Sequence, residues 1–243
     1  SSSVPPFLFL LSVRLSQLTK AGTPVVILSS DDEFMQMDWS DMWYDQWLPE
    51  EKHLLIVPNT EHSLASGLPE VLETMGAFVR SVALGHTERP TFAHERNLST
   101  GEVTVTIPEK WRSKYVKVVL RHAETLQSKR RDFRWVRQSN AFSGKCKLPD
   151  IPLKHPFLGG NCLQPIVWLG KTLKEAEPGT YRTGRPPKPL IHNHWTGYFV
   201  EVYFPSGTGM RLSKFQFTTP GYVWPDTLPF QDCHDDTCVG RLF

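Results

Sequence analysis

An aspartate, Asp32, and a histidine, His62, occupy matching places in this chain, each a few residues past a short apolar run. Val25-Val26-Ile27-Leu28 leads into Ser29-Ser30-Asp31-Asp32-Glu33, and His53–Val57 (HLLIV) leads into Pro58-Asn59-Thr60-Glu61-His62. Wholly apolar, β-branched runs of this length suit strands buried on both faces of a parallel sheet. Loops that follow neighbouring strands of such a sheet open at its carboxyl edge, where their side chains converge. There Asp32 could fix the tautomer of His62 and stabilise its imidazolium, while His62 acts as general base and then general acid for a nucleophile. Taken singly, an aspartate after a strand is commonly a turn former or helix cap, and a lone histidine is commonly a loop residue. The paired placement is what singles these two out. Asp31 and Asp38 are the rival acids, and Asp32 lies one step deeper into the turn than Asp31. No Gly-x-Ser-x-Gly is present and no strand-turn-helix is centred on a serine, so the chain as given lacks a nucleophile.

Other groups of reactive residues carry less. His192-Asn193-His194 puts two imidazoles on one side of an extended segment, but no third ligand is identifiable and no metal is expected. Cys233 and Cys238 enclose His234-Asp235-Asp236, and a short disulfide loop is a simpler account than zinc. Lys129-Arg130-Arg131-Asp132-Phe133-Arg134 reads as a solvated turn with an Asp132–arginine ion pair. With a net charge of +2 and no wider basic stripe, no nucleic-acid partner is expected. No cofactor fingerprint appears, and none is expected.

The elements that must position Asp32 and His62 fall in the first third of the 243 residues. Between the two apolar runs, Trp39–Trp47 is aromatic and acidic, a helix or lid lying against the sheet. After His62, the residues Leu68, Val71, Leu72, Met75, Phe78, Val79 and Val82 recur at helical spacing and predict one core-facing stripe. Ser66 is the expected cap, Pro69 suits the first turn and Gly85 the end. Strand, connection, strand, helix is the closing unit of a doubly wound α/β sheet. Past residue 88 the pattern changes to short strand candidates: Glu102–Ile107, Tyr115–Leu120, Asp132–Val136, Ile166–Leu169, Tyr198–Phe204 and Lys214–Thr218. Proline- and glycine-rich links join them, and Arg185–Leu190 (RPPKPL) reads as a rigid loop. The expected fold is therefore the C-terminal part of an α/β sheet over residues 1–88, a linker at His86–Phe92, and an all-β, immunoglobulin-like sandwich over 89–243.

The apolar stretch Val4–Val13 is too short to span a bilayer and lacks the flanks of a signal peptide, so a buried loop or helix start is expected and no membrane span. The chain begins at Ser1 without a methionine and reads as a fragment or processed form. All four cysteines, Cys146, Cys162, Cys233 and Cys238, lie in the second half, and local pairing would join Cys146 to Cys162 and Cys233 to Cys238. With the sequon Asn97-Leu98-Ser99, they point to a secreted or extracellular protein.

Asp32-Glu33-Phe34 followed by Asp38, then Trp43-Tyr44, then Lys52-His53-Leu54 through Val57-Pro58-Asn59 to His62-Ser63-Leu64, resembles the PhoPQ-activated pathogenicity-related family. The likeness is strong over residues 14–92, reaches about 136 through Arg131-Asp132-Phe133-Arg134, and weakens beyond. Ser29-Ser30 stands where a glycine is usual before the acid, and Met35 where a second phenylalanine is usual. The resemblance implies an α/β-hydrolase catalytic domain followed by a β-rich C-terminal domain, with the nucleophile-bearing segment upstream of Ser1 and this chain alone inactive. It implies export, and either a peptide or ester substrate or, as in autocrine proliferation repressors, a cell-surface receptor as partner.

Overall fold

The computed structural model describes residues 24–46, 51–86, 88–138, 146, 149–152, 161–191, 193–206 and 214–228. Val4–Val13, Cys233, Cys238 and His192 lie outside the described residues. Strand β1 (Val25–Ser29) pairs in parallel with β2 (His53–Val57), from Val25 opposite His53 to Ser29 opposite Val57. A 3-10 turn (Met37–Trp39) and the short helix α1 (Ser40–Trp43) lie between them, and α2 (Leu68–Ala83) follows β2. The β-rich part then runs β3 (Ala93–Arg96), β4 (Val103–Thr106), β5 (Lys117–Glu124), β6 (Val136–Gln138), β7 (Ile151–Pro152), β8 (Asn161–Leu163), β9 (Leu169–Thr172), β10 (Glu175–Glu177), β11 (Thr180–Arg182), β12 (Thr196–Pro205), β13 (Lys214–Thr218) and β14 (Tyr222–Trp224).

The ten-residue β12 is the axis of this part. It pairs antiparallel with β5 and β13 and also with β14, and β9 extends the sheet beyond β5. A second sheet runs β10-β11-β4-β3, and β6-β8-β7 forms a third. Strand alternation assigns each face of β12 to a different core. Tyr198, Val200, Val202 and Phe204 join Val103 and Val105 of the second sheet and the adjacent Ile107. On the other face, Phe199 meets Met37, Leu54, Ile56, Phe133 and Trp168. Each core therefore takes residues from both sides of 86–92. Arg89 in that segment is 2% exposed, forks onto Glu51 at 2.6 and 2.9 Å, and lies 5.1 Å over the Phe78 ring.

Every residue of β2 is buried. The edge turned away from β1 is closed by one side chain: Ile56 N–H donates to Thr218 Oγ1 at 3.0 Å, and that hydroxyl reaches Leu54 O at 3.4 Å. Among the described residues, β1 pairs with β2 alone.

Three sequence expectations change here. The apolar stripe of α2 does not all face the core: Ala77 and Phe78 do, with Thr74 and Ser81, because the helix lies on β13, whereas Leu68, Leu72 and Val79 are at least half exposed. Ser66 does not cap α2. Gly67 holds the N-cap position, and the Ser66 hydroxyl donates instead to Asn59 O at 3.1 Å. Pro69 does lie in the first turn, and Gly85 follows the helix at φ 73°. The candidate strand Asp132–Val136 begins only at Val136, because Asp132 takes the Arg134 N–H and guanidinium into a local turn. Cys146 and Cys162 form the expected disulfide. No helix among the described residues is long and apolar enough to cross a membrane.

Candidate active site

The turns after β1 and β2 bring Asp32 and His62 together. His62 Nδ1 lies 2.9 Å from Asp32 Oδ2 and 3.1 Å from Oδ1. Three further donors fix the carboxylate: the N–H groups of Phe34 and Met35 reach Oδ1 at 2.7 and 2.9 Å, and the Ser29 hydroxyl reaches Oδ2 at 3.1 Å. A carboxylate oxygen accepts, so this geometry places the imidazole hydrogen on Nδ1 and leaves the Nε2 lone pair for a proton. Asp32 is 6% exposed as a side chain and His62 53% exposed, so the acid is enclosed while the base meets solvent. The His62 ring and the exposed Phe34 ring meet in a T-shaped contact at 4.8 Å between centroids. Glu33 Oε2 accepts the His62 N–H at 3.0 Å. Burial raises the Glu33 carboxyl above its ordinary range, that N–H opposes the rise, and Asp32 and Glu61 add to it.

The two turns are stitched to each other. Ser30 N–H donates to Val57 O and Asp31 N–H to Thr60 O, at 3.0 and 3.1 Å. Asn59 N–H donates to Ser30 Oγ at 2.9 Å. Asn59 sits at φ 57°, in the left-handed region that asparagine tolerates better than most residues. Its amide brackets Trp168: Nδ2 donates to Trp168 O at 3.1 Å, and Trp168 N–H donates to Oδ1 at 2.7 Å. The Trp168 indole N–H then reaches Asp31 Oδ1 at 2.8 Å. A tryptophan of the β-rich part thus holds both the turn with the acid and the turn with the histidine. Gly67 closes the His62 loop at close range. A Cβ there would lie 2.4 Å from Val57 Cγ1 and 2.5 Å from Thr60 Cγ2. Gly67→Ala is therefore expected to destabilise the chain by about 1–3 kcal/mol as an overpacked site, seen as a lower denaturant midpoint; an unchanged midpoint would show that the loop can give way.

The rival acids have other partners. Asp31 is fully buried against Trp168 and Ser30, and burial lifts its carboxyl to about 8 despite those hydrogen bonds. Asp38 accepts from Arg131 Nη2 at 2.8 Å, and burial raises its carboxyl against that pairing. The expected Asp132–arginine pair is present, with Arg134 forking onto Asp132 at 2.8 Å through two nitrogens. The turn around it is not solvated, however: Asp132 and Phe133 are buried, because Phe133 belongs to the second core. His194 is buried with Nδ1 2.6 Å from Thr125 O, and no group of three histidine, cysteine, aspartate or glutamate residues that could hold a metal ion occurs among the described residues. A cavity of about 290 Å³ lined by Ile107, Arg112, Lys114, Glu175 and Tyr181 lies in the β-rich part and includes neither Asp32 nor His62. Sequence reasoning missed Ser29, Asn59 and Trp168 as holders of the pair. Asn59, directly after a strand and a proline, carried a local signal for positive φ; Trp168, 137 residues from Asp31, carried none.

Comparison with known proteins finds a family model and a relative that match this chain. The family model described as "PhoPQ-activated pathogenicity-related protein" matches residues 12–134, a span that includes both turns and the Arg131–Arg134 block. The chain is also 30% identical over 221 residues to autocrine proliferation repressor protein A of Dictyostelium discoideum, an alignment that takes in 88% of this chain. The same alignment covers 40% of that protein's length. No solved structure matches the chain.

Proposed function

We propose that this chain, which belongs to the PhoPQ-activated pathogenicity-related family, supplies the acid and the histidine of a serine-hydrolase triad in an exported α/β-hydrolase-like protein acting on a peptide or ester. The observation that carries this reading is the 2.9 Å contact between His62 Nδ1 and Asp32 Oδ2 across the turns of two parallel strands. In this reading His62 Nε2 takes the proton of an attacking serine and returns it to the leaving group, while Asp32 holds the tautomer and stabilises the imidazolium.

The edges of the β1–β2 pair support a larger sheet. Thr218 closes the outer edge of β2, so further strands, including the one that bears the nucleophile, would join beside β1. The outward Leu68, Leu72 and Val79 of α2, spaced by four and seven residues, are apolar surface that such a domain would cover. Export is supported by the Cys146–Cys162 disulfide, since such bonds persist in oxidising compartments. An immunoglobulin-like sandwich is supported by the two sheets that share the core around β12.

A second reading is an exported signal that keeps the scaffold and acts by binding a receptor. It is favoured by the printed name of the Dictyostelium relative, a proliferation repressor. One experiment addresses both. The full-length protein is expected to react with a fluorophosphonate probe, and His62→Ala to abolish labelling. No labelling where a control serine hydrolase labels would overturn the catalytic reading. An antiproliferative effect that survives in the unlabelled His62→Ala protein would favour the second.

A further inference from the structure

We infer that Asn97 is a site of N-linked glycosylation, with an oligosaccharide joined to Nδ2 at the tip of the β3–β4 hairpin. The inference rests on export, proposed above, and on three observations about this turn. Asn97-Leu98-Ser99 is the chain's one Asn-x-Ser/Thr triplet, and all three residues are exposed, Leu98 at 73%. The hairpin holds its own shape without the side-chain nitrogen of Asn97. β3 and β4 pair from Ala93 opposite Thr106 to Arg96 opposite Val103, and the turn closes through Asn97 N–H to Glu102 O and Gly101 N–H to Asn97 O, both 2.8 Å.

The Asn97 amide is also divided unequally. Oδ1 accepts the Ser99 N–H at 3.0 Å, the Thr100 N–H at 3.1 Å and the Ser99 hydroxyl at 2.7 Å. Two of those donors are backbone N–H groups, which cannot accept, so the atom facing them must be the oxygen. Nδ2 makes no hydrogen bond among the described residues and lies at the exposed tip. A glycan there would displace no protein contact and bury no polar group, so the folded hairpin can carry one. The donor for this chemistry is a lipid diphosphate-linked oligosaccharide. Its anomeric carbon forms a bond to Nδ2 and its bond to the diphosphate oxygen breaks. The diphosphate leaves with the electron pair, and the amide proton passes to a carboxylate base of the transferase. No oxidation or reduction is involved.

The test translates the full chain behind an added cleavable signal peptide in the presence of endoplasmic reticulum microsomes, so that entry into the lumen does not depend on the proposal about export. The expected result is a protease-protected product with a one-glycan mobility shift that an endoglycosidase removes and that Asn97→Gln and Ser99→Ala each abolish. A protected chain without the shift, or a shift that persists in Asn97→Gln, would overturn the inference. Export itself stands or falls separately, on whether the natural gene product reaches the medium.

Discussion

On the catalytic reading proposed above, Asp32→Asn in the full-length protein is expected to lower hydrolytic turnover by about 10⁴-fold, the loss seen when a triad acid becomes an amide, with little change in KM. Asparagine keeps the local structure: its Oδ1 can still accept the Phe34 and Met35 N–H groups that Asp32 accepts at 2.7 and 2.9 Å. What it cannot keep is the pairing with His62. The amide nitrogen presents hydrogens where Asp32 Oδ2 presents a lone pair at 2.9 Å from Nδ1, so the imidazole is driven to carry its hydrogen on Nε2. That tautomer has no lone pair facing the nucleophile, and an imidazolium formed in its place has lost the carboxylate beside it. His62→Ala removes the base itself and should cost as much or more. Steady-state kinetics on any ester that the wild type turns over would decide the matter. Turnover within a few-fold of wild type in Asp32→Asn, with the fold intact by circular dichroism, would show that the pair is a structural hydrogen bond and not part of a catalytic triad.

The pair was legible in the sequence because it depends on local order: an apolar run, then a turn, repeated twice within about forty residues. Strands buried on both faces announce themselves by composition, and β1 and β2 fall within a residue of their expected bounds. The same simplicity misled at α2. Helical periodicity shows which residues share a face, and it does not show what that face meets; β13, arriving from far along the chain, takes Ala77 and Phe78 and leaves Leu68 outward. Short strands such as β3, β10 and β11 were invisible, since their exposed, mixed residues resemble loops and only pairing with β4 or with one another makes them strands. The bracket of Asn59 on Trp168 was likewise out of reach, because it joins residues 109 apart and neither type implies the other. In physical terms, what the sequence conceals is every contact whose energy comes from the meeting of distant segments.

One such contact sets a pH dependence. Between about pH 4 and pH 8 Asp31 is expected to cost the folded chain stability as pH rises, and Asp31→Asn to remove that cost. Asp31 is fully buried among the Ser30 hydroxyl, the Trp168 indole and the backbone of both turns, and burial lifts its carboxyl from 3.8 to about 8. Below the lower value, the folded and unfolded chains both hold the proton, and the contribution of Asp31 to stability is fully present. Between the two values the unfolded chain has released the proton and the folded chain still binds it, so each pH unit costs the fold; above about 8 both are ionised and the loss levels off. The full loss is of order 5 kcal/mol by linkage. Asparagine imitates the neutral acid. Its Oδ1 can accept the Trp168 N–H, made to Asp31 Oδ1 at 2.8 Å, and its Nδ2 can donate to Ser30 Oγ, 2.6 Å from Asp31 Oδ2. The remaining shifted groups are common to both proteins and cancel in the comparison, among them the raised Glu33, Asp38 and Glu201 and the lowered Glu51 and Asp132. Urea unfolding of wild type and Asp31→Asn at pH 5 and pH 8.5 should show the variant gaining on the wild type at the higher pH. Equal pH dependence in the two proteins would mean that the folded chain carries Asp31 as a carboxylate, and that Trp168 holds the acid turn by a charged hydrogen bond instead of a neutral one.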